Sequence, residues 1–164
     1  MKYIFLLFIF LVSVGFGYFY SRKYRIRVNF FRSLVMLCQK FDVEINFSRA
    51  RVRNILLSID EKTKNKLCRI DNNYLLYLEG QNALTREELF NGINFLKENE
   101  KDIIYPFFNL LGKTDVDSQS KEIKNYQSRF ESFYEIAEAD NKKYGVLSFK
   151  LGIITGLFLI VIFL

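Results

Sequence analysis

Two apolar runs almost free of charge, one at each end, constrain this chain more than any other feature. Tyr3–Tyr20 is 18 residues without a Lys, Arg, Asp or Glu. As a helix rising 1.5 Å per residue it covers about 27 Å, enough for a hydrocarbon core of roughly 30 Å with slight thinning. A cleaved signal peptide is the rival reading; an uncleaved anchor is expected. The second run, Leu151–Leu164, has only 14 residues. A spanning helix therefore starts near Tyr144 or Gly145 and includes Lys150, which can snorkel to the headgroups from within two turns of the boundary. That geometry reads as a tail anchor.

Charge beside the two runs orients them. Arg22, Lys23, Arg25 and Arg27 follow the first, against Lys2 alone before it, and Lys142, Lys143 and Lys150 all lie on the upstream side of the second. Both biases put the centre of the chain in the cytoplasm and both termini outside. Two cysteines, Cys38 and Cys68, kept as reduced thiols fit that compartment. Cys38 lies on an apolar stripe and reads as a small hydrophobe, and two cysteines with no histidine cannot complete a four-ligand zinc site. The domain reading is an N-terminal anchor at 1–20, a cytosolic helical bundle at 21–145 and a C-terminal transmembrane helix at 146–164.

Within the centre the apolar spacing is helical. Phe30/Phe31, Leu34, Leu37/Cys38, Phe41 and Ile45 mark one face of an amphipathic helix over roughly Arg25–Asn46. Ser48 is placed to cap a second helix through Val52, Ile55, Leu56 and Ile59, and a third runs through Leu67, Ile70, Tyr74 and Leu78 to a C-cap at Gly80. Thr85 and Glu88 form a capping box ahead of Leu89, Phe90, Ile93 and Leu96. Pro106, the single proline, falls in a short stretch over Lys101–Leu111, as a kink or a helix start. Beyond Gly112, the positions Val116, Ile123, Phe130, Ala137 and Tyr144 recur every seven residues, with Tyr126 and Phe133 between them and Gln119 and Asp140 as polar intruders. A helix capped at Thr114 or Asp115 can run unbroken into the membrane, its seam either paired in a coiled coil or folded back on the domain. Gly145 alone costs only about 1 kcal/mol against Ala and does not break it. The fold expected is all-α: a small cytosolic bundle between two terminal transmembrane helices, the last helix long and continuous into the membrane.

The chemistry available to this composition is sparse. Without histidine the usual proton shuttle is missing, and Gly15-Phe16-Gly17 lies in the first apolar run while Gly80 and Gly92 are isolated, so no phosphate-binding loop exists. Carboxylates gather at Glu87/Glu88, Glu98/Glu100/Asp102 and Asp115/Asp117, near helix ends where solvated acids are ordinary. No enzyme, cofactor, metal or small-molecule substrate is expected. Phe, Ile, Lys, Asn and Tyr fill 71 positions and share AT-rich codons, so the aromatic content reflects coding bias before it marks a binding surface.

Basic charge concentrates in the first half: residues 1–70 are net +10 and residues 71–164 net −4. Its densest part is Arg49, Arg51, Arg53, Lys62, Lys64, Lys66 and Arg69, with two acids among them. Such a segment is either ordinary solvated helix surface or a contact for anionic lipid or an acidic protein. Nucleic acid ranks below these, since no recognised motif accompanies the charge.

The string Leu-Gly-Lys-Thr-Asp-Val-Asp-Ser-Gln at 111–119, the stretch Glu-Ala-Asp-Asn-Lys-Lys-Tyr at 138–144 and the terminal Gly/Leu/Ile segment together resemble the stage III sporulation protein AB family. Phe-Asp-Val-Glu-Ile-Asn-Phe at 41–47 is similar to that family's first-helix signature; Glu44, Gly112, Thr114, Asp115 and Gln119 are the motif positions. The resemblance covers the whole chain in layout and departs at Ser48-Arg49-Ala50-Arg51, where the family usually carries a proline. It implies a non-enzymatic scaffold in the mother-cell membrane of an endospore former (the outer forespore membrane), within a channel or secretion-like complex between mother cell and forespore. It further implies a soluble part similar to the type II secretion inner-membrane platform protein. The partners it implies are the cytosolic secretion-type ATPase, stage III sporulation protein AA, and other stage III membrane proteins. The alternative drawn from the residues is a cationic membrane-surface adaptor that binds anionic lipid and has no motor partner.

Overall fold

The computed structural model describes residues 2–48, 51–80, 84–113 and 116–163. Helix makes up 86% of it, with no strand among the described residues, as the helical spacing requires. Helix α1 runs unbroken over Lys2–Ser48. The apolar run and the amphipathic stretch, which the periodicity alone treats as two helices, are one, because no proline or turn signal lies between Tyr20 and Arg25. Ser48 is accordingly the last residue of α1 and not the cap of the next helix. The short α2 (Val52–Leu57) starts from Arg51, without a side-chain cap.

A second correction concerns the expected third helix, which is divided. Helix α3 (Glu61–Lys66) is capped by Asp60, whose carboxylate accepts from the Thr63 amide at 2.9 Å. Hydrogen bonds from the Thr63 side chain and amide hold the Asp60 carboxyl below its ordinary range. Cys68 and Arg69 follow at φ 52° and 74°, a left-handed pair that ends α3 and redirects the chain into α4 (Ile70–Glu79). Gly80 caps α4, but at φ −85°, so the turn there needs no left-handed glycine.

The capping box forms as expected, with Thr85 and Glu88 exchanging hydrogen bonds, yet α5 is only Arg86–Leu89 and Phe90, Ile93 and Leu96 point inward from the turns after it. Helix α6 (Glu98–Leu110) carries Pro106 in its interior. The buried Phe107 and Phe108 next to it hold that segment helical despite the lost amide donor. Helix α7 (Val116–Asp140) continues through a π-helical turn at Asn141–Gly145 into α8 (Val146–Phe163). The positions expected to cap α7, Thr114 and Asp115, lie outside the described residues.

Contacts divide the chain into two compact units, Met1–Val28 with Glu135–Leu164, and Asn29–Tyr134. In the second, Phe107 is the centre of an aromatic core: its ring lies 5.2 Å from both Phe108 and Phe130, 5.4 Å from Tyr126 and 6.5 Å from Phe41. Burying rings of this size removes large apolar areas from water, at about 25 cal/mol per Å². Ile123 and Phe130 of the seven-residue seam are fully buried within this unit, so there the seam folds back on the bundle. A polar clip fastens it: Ser120 donates to Asp42, and Asn46 donates to Ser120 at 3.1 Å. The acidic cluster at 98–102 is consumed locally, Glu98 and Asp102 by Arg86 at 2.8 Å each and Glu100 by the Lys97 amide.

Candidate functional site

In the first unit the two terminal segments form an antiparallel helical hairpin, and small residues decide how closely they approach. Ser13 Oγ donates to the Gly152 carbonyl at 2.8 Å. A Cβ on Gly152 would stand 2.9 Å from Gly17 Cα, and one on Gly17 would stand 2.9 Å from the Ser148 carbonyl. Only glycine permits backbones this close, the device by which helices associate in lipid where the hydrophobic effect gives no help. The signal was present as Ser13-x-x-x-Gly17 and Ser148-x-x-x-Gly152-x-x-x-Gly156, and the reading of spans by length and charge passed over it.

Further along, Tyr24 stacks on Tyr144 with ring centroids 6.1 Å apart, and Arg27 pairs with Asp140 at 2.7 Å. Asp140, a polar intruder in the seam, is thus explained by a nearly buried arginine. This antiparallel pairing gathers Arg22, Lys23 and Arg25 at the same end as Lys142 and Lys143, a cationic collar that the sequence showed only as two separate flanks. Gly145, which the sequence treats as a mild interruption, is packed: a Cβ there would lie 3.3 Å from Tyr24 Cβ. The most apolar windows of the two long helices are only 17% and 11% buried, so their apolar side chains face outward, unlike those of a soluble core helix. Two helices are long and apolar enough to cross a membrane.

The second unit carries the basic segment, which the structure splits. Arg51 and Arg53 border a cleft of about 490 Å³ shared with Lys113, while Lys64 and Arg69 border a separate, more polar depression of about 630 Å³ beside Cys68. Arg53 is held by Glu79 at 2.8 Å and Lys64 reaches the Leu57 carbonyl at 3.3 Å. Lys62 is exposed and Lys66 half-buried, neither lining either depression, and Arg49 lies outside the described residues. Lys113, brought in by the turn after α6, has no signal in a reading of charge density along the chain.

The cleft's walls are Val52, Tyr74 and Leu78, and Gly112 closes one side at φ +79°, where an added Cβ would touch the Val52 side chain at 3.4 Å. Tyr74 donates to the Leu111 carbonyl at 3.4 Å, and burial pushes its phenol well above the ordinary range. Gln119 also lines the cleft; it is 5% exposed and its Nε2 has no hydrogen-bond partner among the described residues. Of the motif positions, Gly112 and Gln119 therefore meet at one site, and Glu44 is half-buried on α1. The two thiols are unremarkable as nucleophiles, since burial raises both Cys38 and Cys68. Among the described residues no three His, Cys, Asp or Glu side chains converge as metal ligands.

The family model for stage III sporulation protein AB matches residues 2–164. The chain belongs to the stage III sporulation protein AB family. This is a family of structural sporulation proteins and not a known enzyme family. Comparison with curated proteins and with solved structures finds no match in either. In this member of the stage III sporulation protein AB family, Leu111, Gly112, Lys113, Val116 and Gln119 of the motif string line the basic cleft.

Proposed function

We propose that the chain is a non-enzymatic membrane scaffold of a sporulation channel or secretion-like complex, docking a cytosolic secretion-type ATPase. The match to the stage III sporulation protein AB family over residues 2–164 carries this reading. The hairpin supports it by presenting apolar side chains outward, as with Phe8 at 62% and Phe158 at 63% exposure, a surface suited to lipid and not to water. The cationic collar at one end of the hairpin supports a cytoplasmic bundle and both termini across the mother-cell membrane. The bundle at 29–134 is then the part within reach of a soluble ATPase.

The test is purification of the tagged full chain, after cross-linking, from sporulating cells. Co-elution of the stage III sporulation protein AA ATPase with other stage III membrane proteins is the expected result. Recovery of anionic lipid without any ATPase would overturn it in favour of the cationic surface adaptor.

A further inference from the structure

The cleft beside α2 and the start of α7 contains an unmet demand. Gln119 Nε2 is a buried donor with no acceptor among the described residues, and leaving such a group unsatisfied disfavours the folded state. Val52, Tyr74 and Leu78 line the same cleft with apolar surface. At the rim, Arg51 and Lys113 are exposed and carry no acidic partner among the described residues; Lys113 donates only to the neutral Asn109 side chain. A site for inorganic phosphate would need several converging donors, and here the buried donor is single and neutral while the cations stay at the edge.

We infer that this cleft holds an acidic peptide segment of a partner protein. An apolar side chain of the segment fills the space against Tyr74 and Leu78, a main-chain carbonyl accepts from Gln119 Nε2, and flanking carboxylates face Arg51 and Lys113. Apolar burial supplies affinity, while the rim charges select for acidic sequence and speed encounter. Gly112 suits this wall, since a side chain there would be strained at φ +79°. The inference does not depend on which protein supplies the segment, so it can fail while ATPase docking stands, and the reverse.

The test uses the full chain in nanodiscs of zwitterionic lipid and the acetylated peptide Asp-Glu-Leu-Phe-Asp-Glu. Binding is followed by anisotropy of a fluorescein label and by the side-chain amide signal of Gln119 in nitrogen-15 spectra. The acidic peptide is expected to shift the Gln119 signal saturably, with its Asn/Gln analogue weaker by about tenfold or more. Gln119→Leu, which removes the donor at similar volume, and Arg51→Gln, on an exposed side chain, are each expected to weaken binding about tenfold. Equal binding of the neutral analogue overturns the assignment. So does saturation by acetate or inorganic phosphate at the same concentration, which makes this a small-anion site, or by nanodiscs containing phosphatidylglycerol, which makes it a headgroup site. A Gln119 signal that no peptide moves overturns it as well.

Discussion

Gly15 and Gly152 both interrupt apolar helices, yet their surroundings separate them. A Cβ on Gly15 meets nothing within 4 Å, whereas on Gly152 it meets Gly17 Cα at 2.9 Å and the Ser13 carbonyl at 3.0 Å. Those atoms are backbone and can yield only if the two helices move apart. Gly152→Ala is therefore expected to cost about 1–3 kcal/mol, the usual cost of overpacking. Gly15→Ala should be neutral or favourable by up to about 1 kcal/mol, the helix-propensity gain. Thermal unfolding of the two variants in detergent measures the difference: a lower midpoint for Gly152→Ala alone is expected, and equal midpoints would mean the hairpin is not closed along this face. At this scale the sequence is ambiguous for a physical reason. What makes a glycine irreplaceable is the distance to a segment well over a hundred residues away, and no local pattern contains it. Asp140 is the same case, a flaw in the seam until Arg27 is placed beside it. Gln119 remains without such an answer among the described residues.

The elements were legible where one periodicity or one cap decides them. The capping box at Thr85, the stripe from Phe30 to Ile45 and the unbroken passage from α7 into α8 follow from short-range rules that tertiary contacts reinforce. The failures are at junctions. Leu67 and Ile70 fit one helical period, but a left-handed Cys68–Arg69 pair lies between them, a conformation costing roughly 1–3 kcal/mol per residue that only tertiary packing maintains. The π turn at Asn141–Gly145 is equally silent in the sequence. Its hydrogen bonds close one residue farther apart than those of an α-helix, so it accommodates one extra residue without changing the register of its flanks. Deleting Lys142 should then restore an α-helix and preserve the hairpin, while inserting one Ala after Lys142 should turn α8 by about 100° and remove Gly152 from Gly17. The reporter is a disulfide between Ser13→Cys and Gly156→Cys in a chain freed of Cys38 and Cys68. A Cβ on Gly156 would lie 3.4 Å from that of Ser13, near the range a disulfide accepts once the Phe10 ring rotates aside. Oxidation should link the parent and the deletion variant within one chain and fail in the insertion variant. Linking in all three would show that the pairing tolerates rotation.

For the whole molecule the question is which side of the membrane each end occupies, and two independent arguments meet there. Charge asymmetry beside each apolar run is a sequence property and predicts that the centre of the chain lies inside. The antiparallel pairing of Ser13 with Gly152 and of Arg27 with Asp140 is a structural property, and it requires the two terminal segments to enter and leave by the same face. It also collects the cations of both flanks at one end, where lipid phosphates and Tyr18, Tyr20, Tyr24 and Tyr144 can meet at the interface. Neither argument depends on the basic segment at 49–69, which charge density made prominent and of which the fold puts Arg51 and Arg53 at one depression and Lys64 and Arg69 at another. In a Cys-free background, Lys2→Cys and Leu164→Cys should each react with a membrane-impermeant maleimide applied to intact protoplasts, and Lys97→Cys should react only after lysis. Reaction at Lys97→Cys with silence at both ends would invert the orientation while leaving the hairpin intact. Reaction at only one end would contradict the hairpin itself, because an antiparallel pair that spans the bilayer cannot leave its two ends on opposite sides.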